Sequence, residues 1–535
     1  MTRKEKKVAL IFTPFNSSIN YNFLYSDCSS FPYIKSYIKK NNGINIDCYD
    51  LNLDFFNQID KNKKFNLIFQ KIVTEINNPL FYISRKIQKN LLKNKKELYL
   101  ITKLIEYYTK LSVEDIIKND LSVLEECGEK LLIFFKKYYK TKIKKWSRYD
   151  VIGVSIQSYG QFWPTIILLK LIKEFYPTMI IVAGGSMFNC IEKKELKKLM
   201  KGIGIKGIFF GQGLKNFSDF LKEKNFKKLN ESIIYDKRNF FVNNTKEYIK
   251  LLDLPEPDYS YTSKYDKKPR YFTIQTGKGC VYGKCKHCSY QKVEKNFKLD
   301  VLSPLDIVLY VKNLKKKYNS NLVLFSNEYI TTEQAINISK ELKINKCKTK
   351  WISFFKLDPK FNKKDAKLIK NNCHLLHIGI ESINFVGLKS LNKGYTPKQA
   401  KKFIDVLISE KIPARLNFIF NIPGQTYEDN LETYEYIKSI KDHFLISVHE
   451  FTIQPNTYIF NHPEEFDIRI FKKHQLNTCR YSKYVFENLK INSKELQEIR
   501  QKFFSLISFD LTNKRKIIFI LRKIYNKIKK FLFFN

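Results

Sequence analysis

Three cysteines stand in the segment Gly279-Cys280-Val281-Tyr282-Gly283-Lys284-Cys285-Lys286-His287-Cys288, spaced C-x4-C-x2-C and placed directly after a strand-like run at residues 271–276. Iron–sulfur clusters are built on cysteine sulfur, and three close thiolates can hold three corners of a [4Fe–4S] cluster. The fourth iron is then left without a protein ligand, so a reactant can bind to it. We therefore predict that Cys280, Cys285 and Cys288 are cluster ligands.

A zinc site and a disulfide bond are two alternative roles for these cysteines, and the sequence supports them less well. A structural zinc site normally has four protein ligands, so it would have to recruit His287, which lies awkwardly beside Cys288, or a distant cysteine. A disulfide would leave one thiol over, and a Lys-rich chain without a secretion signal is expected in the cytoplasm, where disulfides are rare. The nearby Lys278, Lys284 and Lys286 favour the thiolate that ligation needs.

Strand-like and helix-like segments alternate after the cysteines. The strands are predicted at 321–325, 349–355, 375–380, 414–422 and 444–453, with helices such as 304–318, 333–342 and 397–411 between them. Strict alternation implies a parallel sheet with right-handed crossovers. In curved sheets of this kind, functional residues collect at the carboxyl ends of the strands.

The cysteine motif resembles that of the radical S-adenosylmethionine (SAM) superfamily, whose usual spacing is one residue shorter between the first two cysteines. Gly379-Ile380-Glu381-Ser382, followed by Asn392-Lys393-Gly394-Tyr395-Thr396, is similar to the family's "GIES…NKG.T" block. The resemblance implies that Glu381 and Ser382 bind SAM. It also implies that reductive cleavage of SAM supplies a radical, so the chemistry belongs to the cofactors and no catalytic side chain beyond the cluster cysteines is expected.

Two more strand ends resemble the same family. Asn421-Ile422-Pro423-Gly424-Gln425-Thr426 is similar to its "G.PGET" turn, with Asn421 in place of the first glycine and Gln425 in place of the glutamate. This implies a SAM contact at Gly424. Asn327 and Glu328 end the second strand, where the family binds the amino group of SAM. Each short motif alone could be a helix cap or a turn, but their order behind the cysteines favours SAM.

The N-terminal half carries its own alternation, with strand-like runs at 8–12, 44–50, 151–157, 179–185 and 207–213. Continuous apolar runs suit a doubly wound, Rossmann-like sheet that binds ligands beyond the strands' carboxyl ends. The segments 12–15, 155–158, 182–186 and 211–213 resemble the cobalamin-binding domain fused to radical SAM domains. The D-x-H-x-x-G signature that supplies a histidine to cobalt is absent, so cobalamin stays open against a Rossmann-like domain that binds no cofactor.

The predicted fold class is thus α/β, with a Rossmann-like domain and a partial TIM-type (β/α)6 barrel. The predicted domains are residues 1–235, with a helical insertion at about 54–148; a linker at 236–269; the radical SAM domain at 270–460; and a helical extension at 461–535. The extension ends in a basic amphipathic tail, Lys514–Asn535, which can lie on an anionic membrane surface or dock on its own domain.

The formal net charge of +44 invites a nucleic-acid partner. The lysines are spread over the whole chain, however, which favours compositional drift over a binding patch and disfavours nucleic acid. No apolar run approaches the roughly 18 residues that span a bilayer. The chain is therefore expected to be cytoplasmic.

The leading hypothesis is a radical SAM enzyme that modifies an unactivated carbon, by cobalamin-dependent methylation or in the maturation of a peptide or natural product. It would need a flavodoxin-type or ferredoxin-type one-electron reductant. An RNA-modifying methylthiotransferase is the alternative within enzymes, but it would need three more clustered cysteines and a small basic β-domain, and the sequence shows neither. A non-catalytic iron–sulfur or nucleic-acid-binding protein is the alternative outside enzymes.

Overall fold

A computed structural model of the chain describes residues 6–14, 30–61, 125–157, 159–191, 193–222, 229–236, 238–245, 248–265, 271–288, 299–455, 457–472 and 484–509. The described residues up to Phe272 form one compact unit, and those from Thr273 onward form a second.

A seven-stranded sheet is the centre of the first unit. Its strands are β1 (Val8–Phe12), β2 (Ile46–Asp50), β3 (Val151–Ser155), β4 (Ile180–Gly184), β5 (Ile205–Phe209), β6 (Ser232–Asp236) and β7 (Asn239–Asn243). The order is β2-β1-β3-β4-β5-β6-β7. The first five strands pair in parallel, and β6 and β7 join antiparallel. The reversal of chain order between β1 and β3 creates a topological switch point.

Helices accompany this sheet because its central strands are apolar on both faces. Every residue of β1 and of β3 is buried, which is typical of parallel strands covered on both sides. The helices are α1 (Phe31–Asn42), α2 (Leu51–Lys61), α3 (Glu125–Ile143), α4 (Tyr159–Phe175), α5 (Lys193–Ile203) and α6 (Leu214–Lys222). Phe135, Trp146 and Leu168 are among the fully buried side chains of the core they form with the sheet.

The described part of the second unit contains ten strands, the first of which begins at the boundary between the units. They are β8 (Phe272–Gln275), β9 (Gly277–Lys278), β10 (Asp300–Val301), β11 (Leu322–Ile330), β12 (Lys350–Phe355), β13 (Cys373–Glu381), β14 (Ala414–Phe420), β15 (Leu445–Glu450), β16 (Ile468–Lys472) and β17 (Tyr484–Asn488). Six of them form one sheet in chain order, β8-β11-β12-β13-β14-β15. From β11 to β15 all neighbours are parallel. In this order β8 and β15 are the two ends, so the described strands make an open, partial barrel.

Helices follow these strands as the sequence predicted. They are α7 (Pro304–Tyr318), α8 (Thr332–Ile344), α9 (Lys363–Ile369), α10 (Phe385–Leu391), α11 (Pro397–Ser409), α12 (Tyr427–Ile440), α13 (Tyr458–Asn461) and α14 (Ser493–Phe509). Capping boxes start α8, α11 and α12 at Thr331, Thr396 and Thr426. Each box satisfies two backbone N–H groups at the helix start and so fixes where the loop after the strand ends.

The predicted α/β fold class, with a Rossmann-like sheet and a partial barrel, is confirmed. The stretch 236–269, assigned to a linker, includes β7, which extends the first sheet. Of the predicted helical insertion, residues 62–124 lie outside the described residues, and residues 125–143 are α3. The basic tail at 514–535 also lies outside them. In the described ranges, no helix is long and apolar enough to cross a membrane.

Candidate active site

The cysteine loop follows β8 and β9, at the carboxyl end of the first strand of the partial barrel. Cys280, Cys285 and Cys288 are all partly exposed and are present as thiols. The N–H of Cys288 donates to the carbonyl of Cys285 at 3.2 Å, and the N–H of Gly283 donates to the Cys280 Sγ at 3.3 Å. A backbone donor on a cysteine sulfur is one of the contacts that tune an iron–sulfur cluster.

The loop is held against the end of α10. The N–H of Lys286 donates to the carbonyl of Leu391 at 3.0 Å, and the Asn392 side-chain amide donates to the carbonyl of Lys284 at 2.8 Å. The Tyr282 hydroxyl donates to the carbonyl of Asn392 at 2.6 Å. The segment that begins at Asn392 therefore fixes the backbone that carries the cysteines.

Gly394 leaves room for the Tyr282 ring, which yields a first prediction. Gly394 has a φ of +80°, and a Cβ built on it would lie 2.6 Å from the Tyr282 hydroxyl. Gly394→Ala must therefore displace Tyr282 from Asn392 and loosen the loop. We expect the variant to keep markedly less iron than the wild type after anaerobic reconstitution, measured as iron and sulfide per chain.

The matched control is Gly43→Ala. Gly43 has a similar φ of +73° and nothing within 4 Å of the added Cβ. Both variants carry the cost of a left-handed conformation, about 1–2 kcal/mol, but only one displaces the loop. Equal iron content in the two variants would contradict a role for Gly394 in holding the cysteines.

A buried ion pair lies beside the loop. The Lys393 Nζ is 3.2 Å from the Glu381 Oε1, and Lys393 is 9% exposed. Burial opposes the charge of Lys393, but the Glu381 carboxylate, with Tyr395 and Cys285, holds the pKa of Lys393 above its usual range. A Cβ at Gly379 would lie 2.2 Å from the Glu381 Oε1, so the glycine leaves the space that this carboxylate occupies.

Lysines from the segments after α10 and β12, rather than from the loop, act on the partly buried thiol of Cys285. Burial raises the pKa of Cys285, and the charges of Lys393 and Lys356 oppose that rise. Lys286, which the sequence put forward for this task, places its Nζ 4.6 Å from the Tyr458 ring centre instead. Lys356 was missed because it belongs to no motif.

His287, the alternative zinc ligand, is a neutral ring in this structure. Burial, reinforced by the charge of Lys393, lowers the pKa of His287 to about 4, so the ring is neutral at physiological pH. Its Nδ1 is buried and has no hydrogen-bond partner in the described part of the chain. Within the described ranges, no group of three or more His, Cys, Asp or Glu residues is placed to hold a single metal ion. A cluster asks for a different arrangement, since each of its irons takes its own cysteine.

The side chains of Glu381 and Ser382 lie in different surroundings. Glu381 has a φ of +64° at a shift in the register between β13 and β14, and its carboxylate meets Lys393. The fully buried Ser382 Oγ accepts the N–H of Asn384 at 3.0 Å and lies 3.2 Å from the Thr433 Oγ1. Glu381 therefore faces the cysteine side, whereas Ser382 fastens the turn to α12.

Asn421 and Gln425 shape the turn after β14. Asn421 has a φ of +56°, a conformation that asparagine tolerates better than most residues, so it can replace a glycine. The Gln425 Oε1 accepts the N–H of Ile422 at 3.1 Å. Gly424 has a φ of +83° and is partly exposed. The two substituted side chains thus shape the turn, and Gly424 is left as its accessible point.

Asn327 and Glu328 lie within β11, next to the end of β8. The Ser353 hydroxyl donates to the Asn327 Oδ1 at 3.2 Å, and the N–H of Thr276 donates to the carbonyl of Ser326 at 3.2 Å. The Glu328 Oε2 is buried and has no hydrogen-bond partner among the described residues. A buried carboxylate oxygen without a partner is costly unless a donor or a cation completes it.

The sequence and fold both have known relatives. Residues 274–437 match the Radical SAM superfamily. An uncharacterized methyltransferase of Pyrococcus horikoshii is 22% identical over 346 residues, covering 60% of this chain and 70% of the relative.

Two solved structures share the fold. The cobalamin-dependent SAM radical enzyme OxsB with aqua-cobalamin bound is 16% identical, with a TM-score of 0.53 over 86% of this chain; the chain spans 56% of OxsB. The radical SAM methyltransferase TsrM from Kitasatospora setae, with cobalamin and a [4Fe–4S] cluster bound, is 11% identical, with a TM-score of 0.57 over 94% of this chain and 91% of TsrM. The domain at residues 274–437 belongs to the radical SAM superfamily, whose members work with a [4Fe–4S] cluster and SAM.

Proposed function

We propose that this enzyme modifies an unactivated carbon of a small molecule or peptide, with cobalamin-dependent methylation as the leading reaction. The observation that carries the proposal is the cysteine loop at the carboxyl end of β8, in a chain that also contains a β2-β1-β3-β4-β5 Rossmann-like sheet. The fold shared with OxsB and TsrM, which are described as cobalamin-dependent or cobalamin-bound, supports the same conclusion. In this proposal, the predicted domain at residues 1–235 binds cobalamin and the predicted domain at residues 270–460 binds SAM.

Cys280, Cys285 and Cys288 would hold the cluster, and the strand ends around them would hold SAM. When bound, the cluster supplies an electron and an open iron, and SAM supplies the transferred group or the radical. The partnerless Glu328 oxygen suits the ammonium of SAM, with Asn327 beside it. Glu381 and Gly424 offer further contacts, and Ser382 would act by fixing the Glu381 turn. The side chains orient SAM and exclude water.

The first unit fits a cobalamin at its switch point between β1 and β3. Small residues follow β4 there, and a Cβ at Gly185 would lie 2.2 Å from the Ile156 carbonyl oxygen, so the two loops meet closely. Thr13 follows β1 and is fully buried, with its hydroxyl 2.6 Å from that of Thr165. All seven histidines of the chain lie at or after His287. Cobalt would therefore receive no histidine from residues 1–286.

Substitutions at two serines of the first unit test both cobalamin binding and the consumption of SAM. Ser186 is exposed just after β4, at the carboxyl edge, and its hydroxyl donates to the Gln157 carbonyl at 3.0 Å. Ser186→Phe would occupy the crevice and should lower cobalamin binding about tenfold, as expected for 1–3 kcal/mol of steric cost. Visible absorption after purification with hydroxocobalamin measures the bound cofactor, and mass spectrometry measures SAM consumption by the reconstituted enzyme.

The control is Ser147→Phe. Ser147 is also exposed and donates to a backbone carbonyl, at 3.1 Å, but it precedes β3 and so lies at the amino edge. Loss of cobalamin and of SAM consumption in the Ser186 variant alone supports the proposal. Equal cobalamin content in both variants argues against the crevice, and a fully loaded cluster that consumes no SAM under any condition argues against the reaction.

The proposed partners are a flavodoxin-type or ferredoxin-type reductant and the substrate, in the cytoplasm. All cysteines whose side chains are described are thiols: Cys48, Cys280, Cys285, Cys288, Cys347 and Cys373. A reducing compartment preserves such thiols. It also suits a cluster that must accept an electron.

A further inference from the structure

Lys356 comes directly after β12, at the carboxyl end of the barrel sheet. Its Nζ lies 4.0 Å from the centre of the Tyr282 ring and 5.3 Å from that of Tyr395, and it donates to the Lys393 carbonyl at 3.0 Å. The ammonium is therefore fixed between the cysteine loop and the segment that holds this loop. An ammonium over a partly desolvated aromatic ring gains roughly 0.5–2 kcal/mol, which keeps the side chain in place.

Lys356 and its neighbour Lys393 are both positively charged, but only Lys393 is paired with a carboxylate in the described part of the chain. Lys393 is paired with Glu381 at 3.2 Å, so that pair is formally neutral. Lys356 forms no ion pair with a carboxylate in the described part of the chain. Burial, reinforced by the charge of Lys393, lowers the pKa of Lys356 to about 8, and Cys285 and Cys280, followed by Asp358, oppose that lowering. Its positive charge is consequently available to the thiolates and to whatever they bind.

Tyr282 connects the position of Lys356 to the unusual spacing of the cysteines. The residue lies in the four-residue spacer between Cys280 and Cys285, which is one residue longer than the family's usual spacer. Gly283 follows with a φ of +56°, and the Tyr282 ring then lies under Lys356 and against Gly394. The longer spacer thus presents an aromatic face that seats a cation beside the first two cysteines.

We propose that Lys356 stabilises the reduced state of the cluster and thereby raises its reduction potential. The inference rests on the ligation by Cys280, Cys285 and Cys288 proposed above. Reduction takes one electron from an external one-electron donor, adds one negative charge to the cluster and moves no proton. A fixed ammonium nearby favours that added charge by Coulomb attraction, and net charge is one of the factors that set cluster potentials.

The test compares Lys356→Gln, Lys356→Met and Lys356→Arg with the wild type. Iron and sulfide are measured first, and the midpoint potential is then measured by redox titration followed by EPR, without SAM. Either neutral variant should be about tenfold harder to reduce, which for one electron is a midpoint about 59 mV more negative. Lys356→Arg keeps the charge and should stay near the wild-type value.

Lys360→Gln is the control, because Lys360 is an exposed lysine in the same segment after β12. It should change neither iron content nor potential. Full iron with an unchanged midpoint in both neutral variants overturns the proposal. Loss of iron in both neutral variants but not in Lys356→Arg also overturns it, since Lys356 would then be needed for assembly. A wild-type protein that loads no cluster refutes the ligation instead, so the two failures are distinguishable.

Discussion

Replacing Cys285 with alanine will leave a protein that cannot keep a [4Fe–4S] cluster. Iron after anaerobic reconstitution should fall from about four per chain to well below one, and SAM consumption should fall by roughly three orders of magnitude or more. Each of the three cysteines would serve a different iron, so none could substitute for another. The adjacent His287 should not take over, because its ring is held by a hydrogen bond to the backbone of Leu391. Iron and sulfide assays with EPR measure the loss.

Cys347→Ala provides the comparison. Cys347 is a buried thiol outside the loop, 8% exposed, and its loss should leave the iron content unchanged. If the Cys285 variant retains a full cluster, the predicted ligand set is wrong. If the wild-type protein binds one zinc ion and no iron, the zinc alternative replaces the radical chemistry.

The cysteine loop and the ends of β13 and β14 could be predicted because their residues are close in sequence and occur in a fixed order. The prediction that Asn327 and Glu328 end their strand is wrong, because β11 continues to Ile330. Lys356 could not be predicted, since it lies between motifs and meets Tyr282 and Lys393 only after β12 and β13 pair side by side. Tyr282 was visible within the motif, but its place depends on Gly394, far along the chain. Contacts set by tertiary packing leave no local pattern to find.

The hairpin of β6 and β7 was missed for a different reason. Two-residue turns between antiparallel strands favour Asn-Gly or Asp-Gly, because the turn residues take positive φ. Here the connection is Lys237-Arg238, and Arg238 adopts a φ of +68° without being glycine or asparagine. The usual turn signal is therefore absent, and the neighbouring prolines at 255, 257 and 269 favour a linker instead.

Removing the ammonium of Lys393 will strongly destabilise the second unit. Lys393→Met leaves the Glu381 carboxylate, whose side chain is 14% exposed, without its partner at 3.2 Å. Breaking a buried pair by removing one member costs about 3–5 kcal/mol, because a charge is left uncompensated. Chemical denaturation of the protein without its cluster, followed by circular dichroism, measures the change in the free energy of unfolding.

The exposed ion pair of Lys438 and Glu435 is the control that distinguishes the effect of burial from the effect of the distance between the charges. Its Nζ and Oε2 are 3.3 Å apart, nearly the same as in the buried pair, but its side chains are 55% and 61% exposed. Lys438→Met should therefore cost no more than about 1 kcal/mol. Lys393→Met combined with Glu381→Gln should lose much less than the sum of the two single variants, because the double variant buries no lone charge. Equal losses in Lys393→Met and Lys438→Met, or additive losses in the double variant, would mean that the buried pair does not hold this strand end together.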